Sequence, residues 1–261
     1  MESRIVPLYL PNGVDKVIGF GSTSFIGRLN DKAVLKYPRV VGEQWERFVI
    51  EERMYKALGS HPRIITCFGL DGRGLKLEYA PNGTLRDFLR GSNSSGFDSP
   101  KDRLRWSRQA AEAIAYIHTK NIIHCDISIR NFLLDRNMNV KLSDFQGLYV
   151  DPYGVTFNGF ALENVKSYLP RPSTHSDQKS DLFALGTAIY EIMTGHEPFP
   201  DLDELEDEEE IEKRYIEGRF PVLDDVLGGH IIYKCWSLAY EKVDACVEGL
   251  KALEECPTEQ S

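Results

Sequence analysis

Through residue 79 the chain alternates apolar and polar positions in short runs, and beyond residue 83 the spacing widens to that of helices. KVIGFGSTSFIGRL, residues 16–29, alternates around glycines and predicts a hairpin closed by a tight glycine turn. KAVLKY (32–37), HPRIITCFGL (61–70) and RGLKLEYA (73–80) read as further strands. Between them, EQWERFVIEERMYKALG (43–59) has helical spacing, with Trp45, Phe48, Tyr55 and Leu58 three, seven and three residues apart. APNG (80–83) predicts a turn and a boundary between two lobes. Next come a short helix from TLRDFLRG (84–91) and a long one, RLRWSRQAAEAIAYIHTK (103–120). The apolar face of the long helix runs through Leu104, Ala111, Ile114, Ala115, Ile117 and His118. NFLLDRNMNVKLSDF (131–145) holds short strands, and SDLFALGTAIYEIMTG (180–195) is an apolar helix that Gly195 ends. IIYKCWSLA (231–239) and EKVDACVEGLKALE (241–254) are later helices, and no segment repeats another.

Two polar clusters interrupt this pattern: HCDISIRN (124–131) and KLSDFQG (141–147). A hairpin between them would bring Asn131 close to Asp144. An amide oxygen and a carboxylate are hard ligands suited to Mg²⁺, which keeps phosphate oxygens and waters in its remaining positions. Asp126 would stay free to accept a proton from an attacking hydroxyl. Asp and Asn also build turns and caps with no catalytic part, and either segment alone is open to that reading.

Together the segments resemble the H-R-D-x-x-x-x-N catalytic loop and the D-F-G motif of eukaryotic protein kinases, matching at His124, Asp126, Asn131, Asp144 and Phe145. The resemblance implies an α+β, two-lobed protein-kinase-like fold in one domain. The small antiparallel N-lobe with one helix would span about residues 1–79, and the mainly helical C-lobe about 80–261. IGFGSTSFI (18–26) resembles the glycine-rich phosphate loop, with Ile18, Gly19 and Gly21 in place, Ser24 for the third glycine and Ile26 for the valine. AVLK (33–36) resembles V-A-I-K, which makes Lys36 the lysine for the α and β phosphates. Its helix partner is Glu51 or Glu52. Spacing from His61 and Pro62 favours Glu52, while Met54, Tyr55 and Leu58 at +3, +4 and +7 put Glu51 on the inward face and decide for it. The other glutamate is then expected as a solvated surface charge. LEYAPNGTLRDFL (77–89) resembles a kinase hinge: Glu78 and Ala80 offer backbone groups to adenine, and Leu77 controls the rear pocket. Leu133 would pack beneath the base, with Val34 and Ile26 above it. SDLFALGTAIYEIMTGHEPFP (180–200) resembles the large-lobe framework, where Asp181 holds the catalytic loop from below, and KCW (234–236) matches a late helix. The likeness spans roughly residues 15–250.

Beyond Ser24, the catalytic loop, the D-F-G motif and the A-P-E ion pair each depart from the family pattern. Cys125 stands for the catalytic-loop Arg that grips a phosphorylated activation segment, so activity is expected not to require that phosphate, and the thiol is expected half-buried and inert. Gln146 replaces the glycine of D-F-G, and its Cβ restricts the segment. LPR (169–171) puts Arg171 in place of the A-P-E glutamate, and Val243 stands where its arginine partner would be. Losing both halves of a buried ion pair can be neutral, whereas losing one costs about 3–5 kcal/mol. Arg171 itself is expected to point to solvent.

Composition narrows the functions. With 31 Lys plus Arg against 40 Asp plus Glu, the net charge is −9, which disfavours nucleic acid as partner. The five cysteines form no C-x-x-C pair, which argues against a zinc site and fits a reducing cytosol or nucleus. MESRIVPLYLPNGVD (1–15) lacks the apolar core of a signal peptide, and no apolar run reaches the ~18 residues of a membrane helix. A soluble intracellular monomer is the expectation. The acidic run DLDELEDEEEIE (201–212) reads as a solvated loop and helix start. The leading function is an ATP- and Mg²⁺-dependent protein kinase acting on a protein substrate. An ATP-binding scaffold with little turnover and a small-molecule phosphotransferase are the alternatives. Ser128, two residues after Asp126, lacks the lysine usual in Ser/Thr kinases, and Arg130 resembles the tyrosine-kinase loop and could place a cation near the γ-phosphate. The HCD and DFxG variants nonetheless resemble small fungal kinase-like chains, and Ser/Thr specificity is favoured over Tyr.

Overall fold

The computed structural model describes residues 9–91, 98–172 and 175–255; residues 1–8 and Cys256, which figure in the sequence reading, lie outside them. A five-stranded antiparallel sheet forms the smaller lobe, in the order β1-β2-β3-β5-β4. Its strands are β1 Lys16–Phe20, β2 Ser24–Arg28, β3 Ala33–Pro38, β4 Cys67–Leu70 and β5 Leu75–Glu78. The turn at residues 21–23 is closed by the Gly21 N–H on the Ser24 carbonyl at 2.8 Å, with Phe20 opposite Phe25. Successive side chains of β3 face opposite sides of the sheet. Leu35 and Tyr37 pack with Phe25 in a small separate core, while Val34 joins the main core across the cleft. Lys36 shares the side of Val34, paired in register with Ile26 on one strand and Leu75 on the other. Helix α1, Trp45–Leu58, packs on β4 with Phe48, Ile50, Glu51, Met54, Tyr55 and Leu58 buried.

The larger lobe is helical. α2 (Leu85–Arg90) starts at Thr84, whose hydroxyl accepts from the Asp87 N–H. α3 (Pro100–His118) opens with a Ser99/Asp102 capping box and a proline in its first turn, signals that stop fraying at a buried helix. α4 (Gln178–Thr194) carries an Asp177/Ser180 capping box and ends on Gly195, whose φ of 82° a side chain would resist. α5 (Glu208–Ile216), α6 (Gly229–Trp236) and α7 (Val243–Glu255) complete the lobe, with α3 against α4 and α7, and α4 against α6. One apolar core runs from Val34 and Leu77 in the sheet to Leu250 in α7. Among the described residues, no helix is long and apolar enough to cross a membrane.

Short strands line the cleft side of this lobe: β6 (Ile122–Ile123), β7 (Phe132–Leu134), β8 (Val140–Leu142), β9 (Leu148–Val150) and β10 (Thr156–Asn158). β7 and β8 make the ribbon expected between the polar clusters, while β6, β9 and β10 form a three-stranded sheet. The β9–β10 hairpin is absent from the sequence reading. Its turn is built by Asp151, whose Oδ1 accepts from the N–H groups of Tyr153 and Val155, both at 2.9 Å, and by Gly154 at φ 82°. The strand expected over 61–70 shrinks to Cys67–Leu70, because Ile64 instead bridges Leu142 of the lower ribbon. The acidic run enters α5 at Glu208, where Glu210 pairs with Arg214 of the same helix and with Arg219 just beyond it, so it is partly neutralised.

Candidate active site

Lys36, Glu51 and Asp144 meet where the two lobes face each other. The Lys36 Nζ lies 2.6 Å from Glu51 Oε2 and 2.5 Å from Asp144 Oδ1. Glu51 is fully buried; burial pushes its carboxyl pKa up, and the Lys36 ammonium opposes but does not cancel that push. Burial would lower the Lys36 pKa, yet the two carboxylates beside it turn the net shift upward. At Asp144 burial again favours the neutral form, and Lys36 outweighs it, holding the group below its ordinary value. The Asp144 side chain remains 40% exposed, so one face stays open to the cleft. Helix rotation explains why Glu51 and not Glu52 reaches the lysine: one residue on, the side chain turns by about 100°. Glu52 is not the solvated charge expected of it. Its side chain is 17% exposed, takes the Lys56 ammonium at 2.7 Å and accepts from the Leu70 N–H at 3.1 Å, tying α1 to β4.

Phe145 is fully buried between Tyr55 of α1 and His124, with ring centroids at 4.9 and 5.4 Å, which couples the helix to the catalytic loop. The loop itself hangs on Asp181. That carboxylate, 1% exposed, accepts from the backbone N–H groups of His124 (2.9 Å) and Cys125 (3.1 Å) and from His118 Nε2 (2.8 Å). These bonds hold Cys125 at φ 63° and set the direction in which Asp126 leaves the backbone. His124 Nε2–H donates to the Ser143 carbonyl at 3.0 Å, and its Nδ1 accepts from the Asp126 N–H at 3.3 Å. His118 shares Asp181 with the loop, a link that the sequence hid, because the residue falls on the apolar face of α3 and reads there as core.

Asp126 accepts from Asn131 Nδ2 through its carbonyl (2.7 Å) and its Oδ2 (2.9 Å). Burial lifts its pKa to about 6, which the nearby His124 ring, the Asn131 hydrogen bond and the Arg130 guanidinium all oppose. A carboxylate poised there is well matched to accepting a proton near neutrality. With Asn131 Nδ2 committed, its Oδ1 faces away from Asp126. That amide oxygen and the open side of Asp144 make a hard-oxygen donor pair that fits Mg²⁺. Among the described residues no three His, Cys, Asp or Glu form a metal cage, and a metal carried on nucleotide phosphates needs none.

The residues expected around a nucleotide fall on β1, β2, β3, β5 and β7 and on the turns at Gly21 and Ala80. Val34 and Leu77 are buried, Ile26 and Leu133 half-buried, and Ile18 of β1 is 39% exposed. A Cβ on Gly21 would come to 3.1 Å from Ser24 Oγ, and one on Gly19 to 3.3 Å from Ile26, so the hairpin has little room for side chains at either position. Ser24, in the third-glycine place, is buried. In the hinge, the Glu78 and Tyr79 N–H groups are taken by the Thr66 and Lys32 carbonyls, and the Glu78 carboxylate by Lys141 at 2.7 Å. The Ala80 carbonyl accepts from Gly83 at 3.2 Å, closing the turn. Arg130 is exposed and, among the described residues, forms no ion pair, and its guanidinium acts on Asp126 by lowering the carboxyl pKa.

The departures take definite places. Cys125 is buried rather than half-buried, and burial pushes its thiol up to about 12, which leaves it unreactive near neutrality. Gln146 reaches across to Glu51, with Nε2 3.3 Å from Oε2. Arg171 does not point to solvent. Its side chain is 11% exposed, pairs with Glu163, donates to the carbonyls of Leu169 and His175, and lies over the Tyr168 ring. Where a phosphate receptor is missing, two cation–aromatic contacts tie α1 to the segment after Asp144: Arg53 lies 4.1 Å from the Phe157 ring centroid and Arg47 5.6 Å from that of Phe160.

Comparison with known proteins agrees with this geometry. The family model described as protein tyrosine and serine/threonine kinase matches residues 32–243. A LEAF RUST 10 disease-resistance locus receptor-like protein kinase-like 1.1 of Arabidopsis thaliana is 30% identical over 195 residues, covering 69% of this chain and 31% of that protein. A probable serine/threonine-protein kinase of Dictyostelium discoideum is 26% identical over 239 residues, 86% of this chain and 18% of the relative. Serine/threonine-protein kinase PrkC of Bacillus subtilis is 30% identical over 146 residues, 53% of this chain and 22% of its own. The chain spans less than a third of the length of these relatives. With most of its length matched by the family model and the Lys36–Glu51–Asp144 cluster in its cleft, the chain belongs to the protein tyrosine and serine/threonine kinase family.

Proposed function

We propose that the chain is an ATP- and Mg²⁺-dependent protein kinase, organised as a single domain hinged near residues 80–83, that moves the γ-phosphate to a protein hydroxyl. The observation that carries this reading is the Lys36 ammonium held between Glu51 and Asp144, at 2.6 and 2.5 Å, above the Asp126–Asn131 pair. Phosphoryl transfer asks a protein mainly for positioning and charge. Lys36 supplies the charge for the α and β phosphates, and Glu51 fixes its direction. Gly19 and Gly21 allow backbone N–H groups to approach the phosphates, with Ile18, Ile26, Val34, Leu77 and Leu133 around the base and Glu78 and Ala80 at its polar edge. Asn131 Oδ1 and Asp144 would hold the metal, which when bound neutralises charge on the phosphate oxygens. Asp126 takes the proton of the attacking hydroxyl, and Arg130 offers an exposed cation beside it. The relatives named as serine/threonine kinases favour Ser and Thr over Tyr as acceptors. The four described cysteines are free thiols, which fits a reducing cytosol or nucleus.

The test is incubation with γ-labelled ATP and Mg²⁺ over generic Ser, Thr and Tyr substrates, comparing the wild type with Asp126→Asn and Asp144→Asn. Transfer by the wild type and its loss in both variants is the expected result. Equal background labelling in all three, with ATP still bound, would replace an enzyme by a nucleotide-binding scaffold.

A further inference from the structure

The glycine that normally follows Asp-Phe in this family has no side chain, and here the position is Gln146. Its side-chain amide crosses the cleft to α1, where Nε2 donates to Glu51 Oε2 at 3.3 Å. A carboxylate only accepts, so the nitrogen of the amide must face it. Glu51 needs the donor: it is fully buried, Lys36 Nζ is the other group on Oε2, and Oε1 has no hydrogen-bond partner. The backbone of Gln146 is fixed as well. Its N–H donates to the Asp144 carbonyl at 3.0 Å, and its carbonyl accepts from the Ala161 N–H at 2.8 Å. Gly159 lies so close beneath that a Cβ there would come within 2.6 Å of the Gln146 carbonyl oxygen. One residue therefore joins three parts: the Asp144 segment, the glutamate of α1 and the stretch after β10.

We propose that Gln146 is a positioning residue whose side-chain amide holds Glu51, and through it α1 and Lys36, in the arrangement used for phosphoryl transfer. A glycine at this place could not make the contact. The bond replaces from inside the cleft part of the restraint that a phosphate-gripping arginine would have supplied from below, at the position Cys125 occupies. The catalytic consequence rests on the kinase reading; the mechanical one does not.

Gln146→Met keeps the length and removes the donor, and Gln146→Gly restores the family residue and keeps the backbone bonds. Amide hydrogen exchange over residues 45–58 in the nucleotide-free protein is measured for each, beside kcat and the KM for peptide. Exchange is expected to rise about tenfold in both variants, the loss of one hydrogen bond to a buried charge. A kcat fall of similar size should leave the peptide KM unchanged. In a Glu51→Met background, adding Gln146→Met should change exchange no further. Unchanged exchange in the variant that folds, or an equal increase with and without Glu51, overturns the proposal, because the second result marks simple packing. If the wild type transfers no phosphate while the exchange difference persists, the kinase reading fails and the positioning role stands.

Discussion

Replacing Asp181 by Asn removes one acceptor from a site where every lone pair counts. The Asp181 Oδ1 takes the Cys125 N–H, while Oδ2 takes both the His124 N–H and His118. An asparagine keeps the shape but turns one oxygen into a donor. The cheaper orientation gives up Oδ1, losing one charge-assisted bond and leaving the Cys125 N–H facing an amide NH₂. The other orientation strands two donors. A buried donor left without a partner costs about 1–3 kcal/mol, and a bond to a charged group contributes about 1.5–3, so roughly 3 kcal/mol is expected for the cheaper case. Cys125 is held at φ 63°, in the left-handed region where a non-glycine residue costs about 1–2 kcal/mol, so the freed loop has reason to relax and carry Asp126 with it. For a chain of this size about 3 kcal/mol corresponds to a Tm lower by roughly 6–12 °C. Calorimetry gives the Tm, and labelled-ATP transfer at a temperature where both proteins are folded gives the activity. A Tm within about 2 °C of wild type would refute the premise that Asp181 bears the loop, since that is less than one ordinary hydrogen bond.

Gly147 and Gly72 separate steric need from backbone preference. A Cβ at Gly147 would fall 2.0 Å from the Ile123 carbonyl oxygen and 2.4 Å from that of His124, so Gly147→Ala must push β9 off β6, at a cost above about 3 kcal/mol. Gly72 has φ +80° and open space, so Gly72→Ala should cost only about 1 kcal/mol, and equal Tm losses for the two would contradict the geometry. Glu191 gives a pH signature. Burial raises its pKa from 4.5 to about 7, and the Arg90 guanidinium at 3.2 Å opposes the shift without cancelling it. The folded state then keeps a proton that the unfolded chain has released, so this stabilisation is full below pH 4.5 and lost as pH rises through 7. Glu191→Gln should therefore gain on the wild type by about 1–3 kcal/mol between pH 5 and pH 8 in urea unfolding, and parallel pH curves would count against it.

The legible part of this protein is the part set by short-range spacing. HCDISIRN and KLSDFQG flank the two ends of one ribbon, β7–β8, so the short spacing alone brings Asn131 beside Ser143 and Asp144. Helical phase alone separates Glu51 from Glu52, because Met54, Tyr55 and Leu58 mark the buried side. What escaped depends on contacts between distant segments. The His118 bond to Asp181 spans 63 residues, and nothing in an amphipathic helix distinguishes a ring that packs from a ring that also donates. Glu52 looked solvated because, beside the Lys56 pair one helical turn on, its second partner is a backbone N–H on β4, which carries no sequence signal. The β9–β10 hairpin had a visible turn, Asp151 to Gly154, but flanking strands of three residues each are too short for alternation to register.

The segment over residues 160–172 shows how the family's missing ion pair is replaced. Arg171 would clash electrostatically with an arginine partner, and the residue at that place, Val243 at the start of α7, is buried and apolar instead. The charge at 171 is answered by Glu163, eight residues back along the same segment. A pair that would have closed a long loop across the lobe is thus traded for one that closes a short loop within it. Short closure costs less chain entropy, yet it fastens the segment to itself and not to the helices. The fastening to the lobe falls to Lys166, 2% exposed, whose ammonium meets Glu197 at 3.0 Å and the carbonyls of Phe199 and Leu202 at 3.1 and 2.8 Å. Arg171 therefore sets the local shape of the segment while Lys166 sets its position, two tasks that one long-range ion pair would otherwise combine.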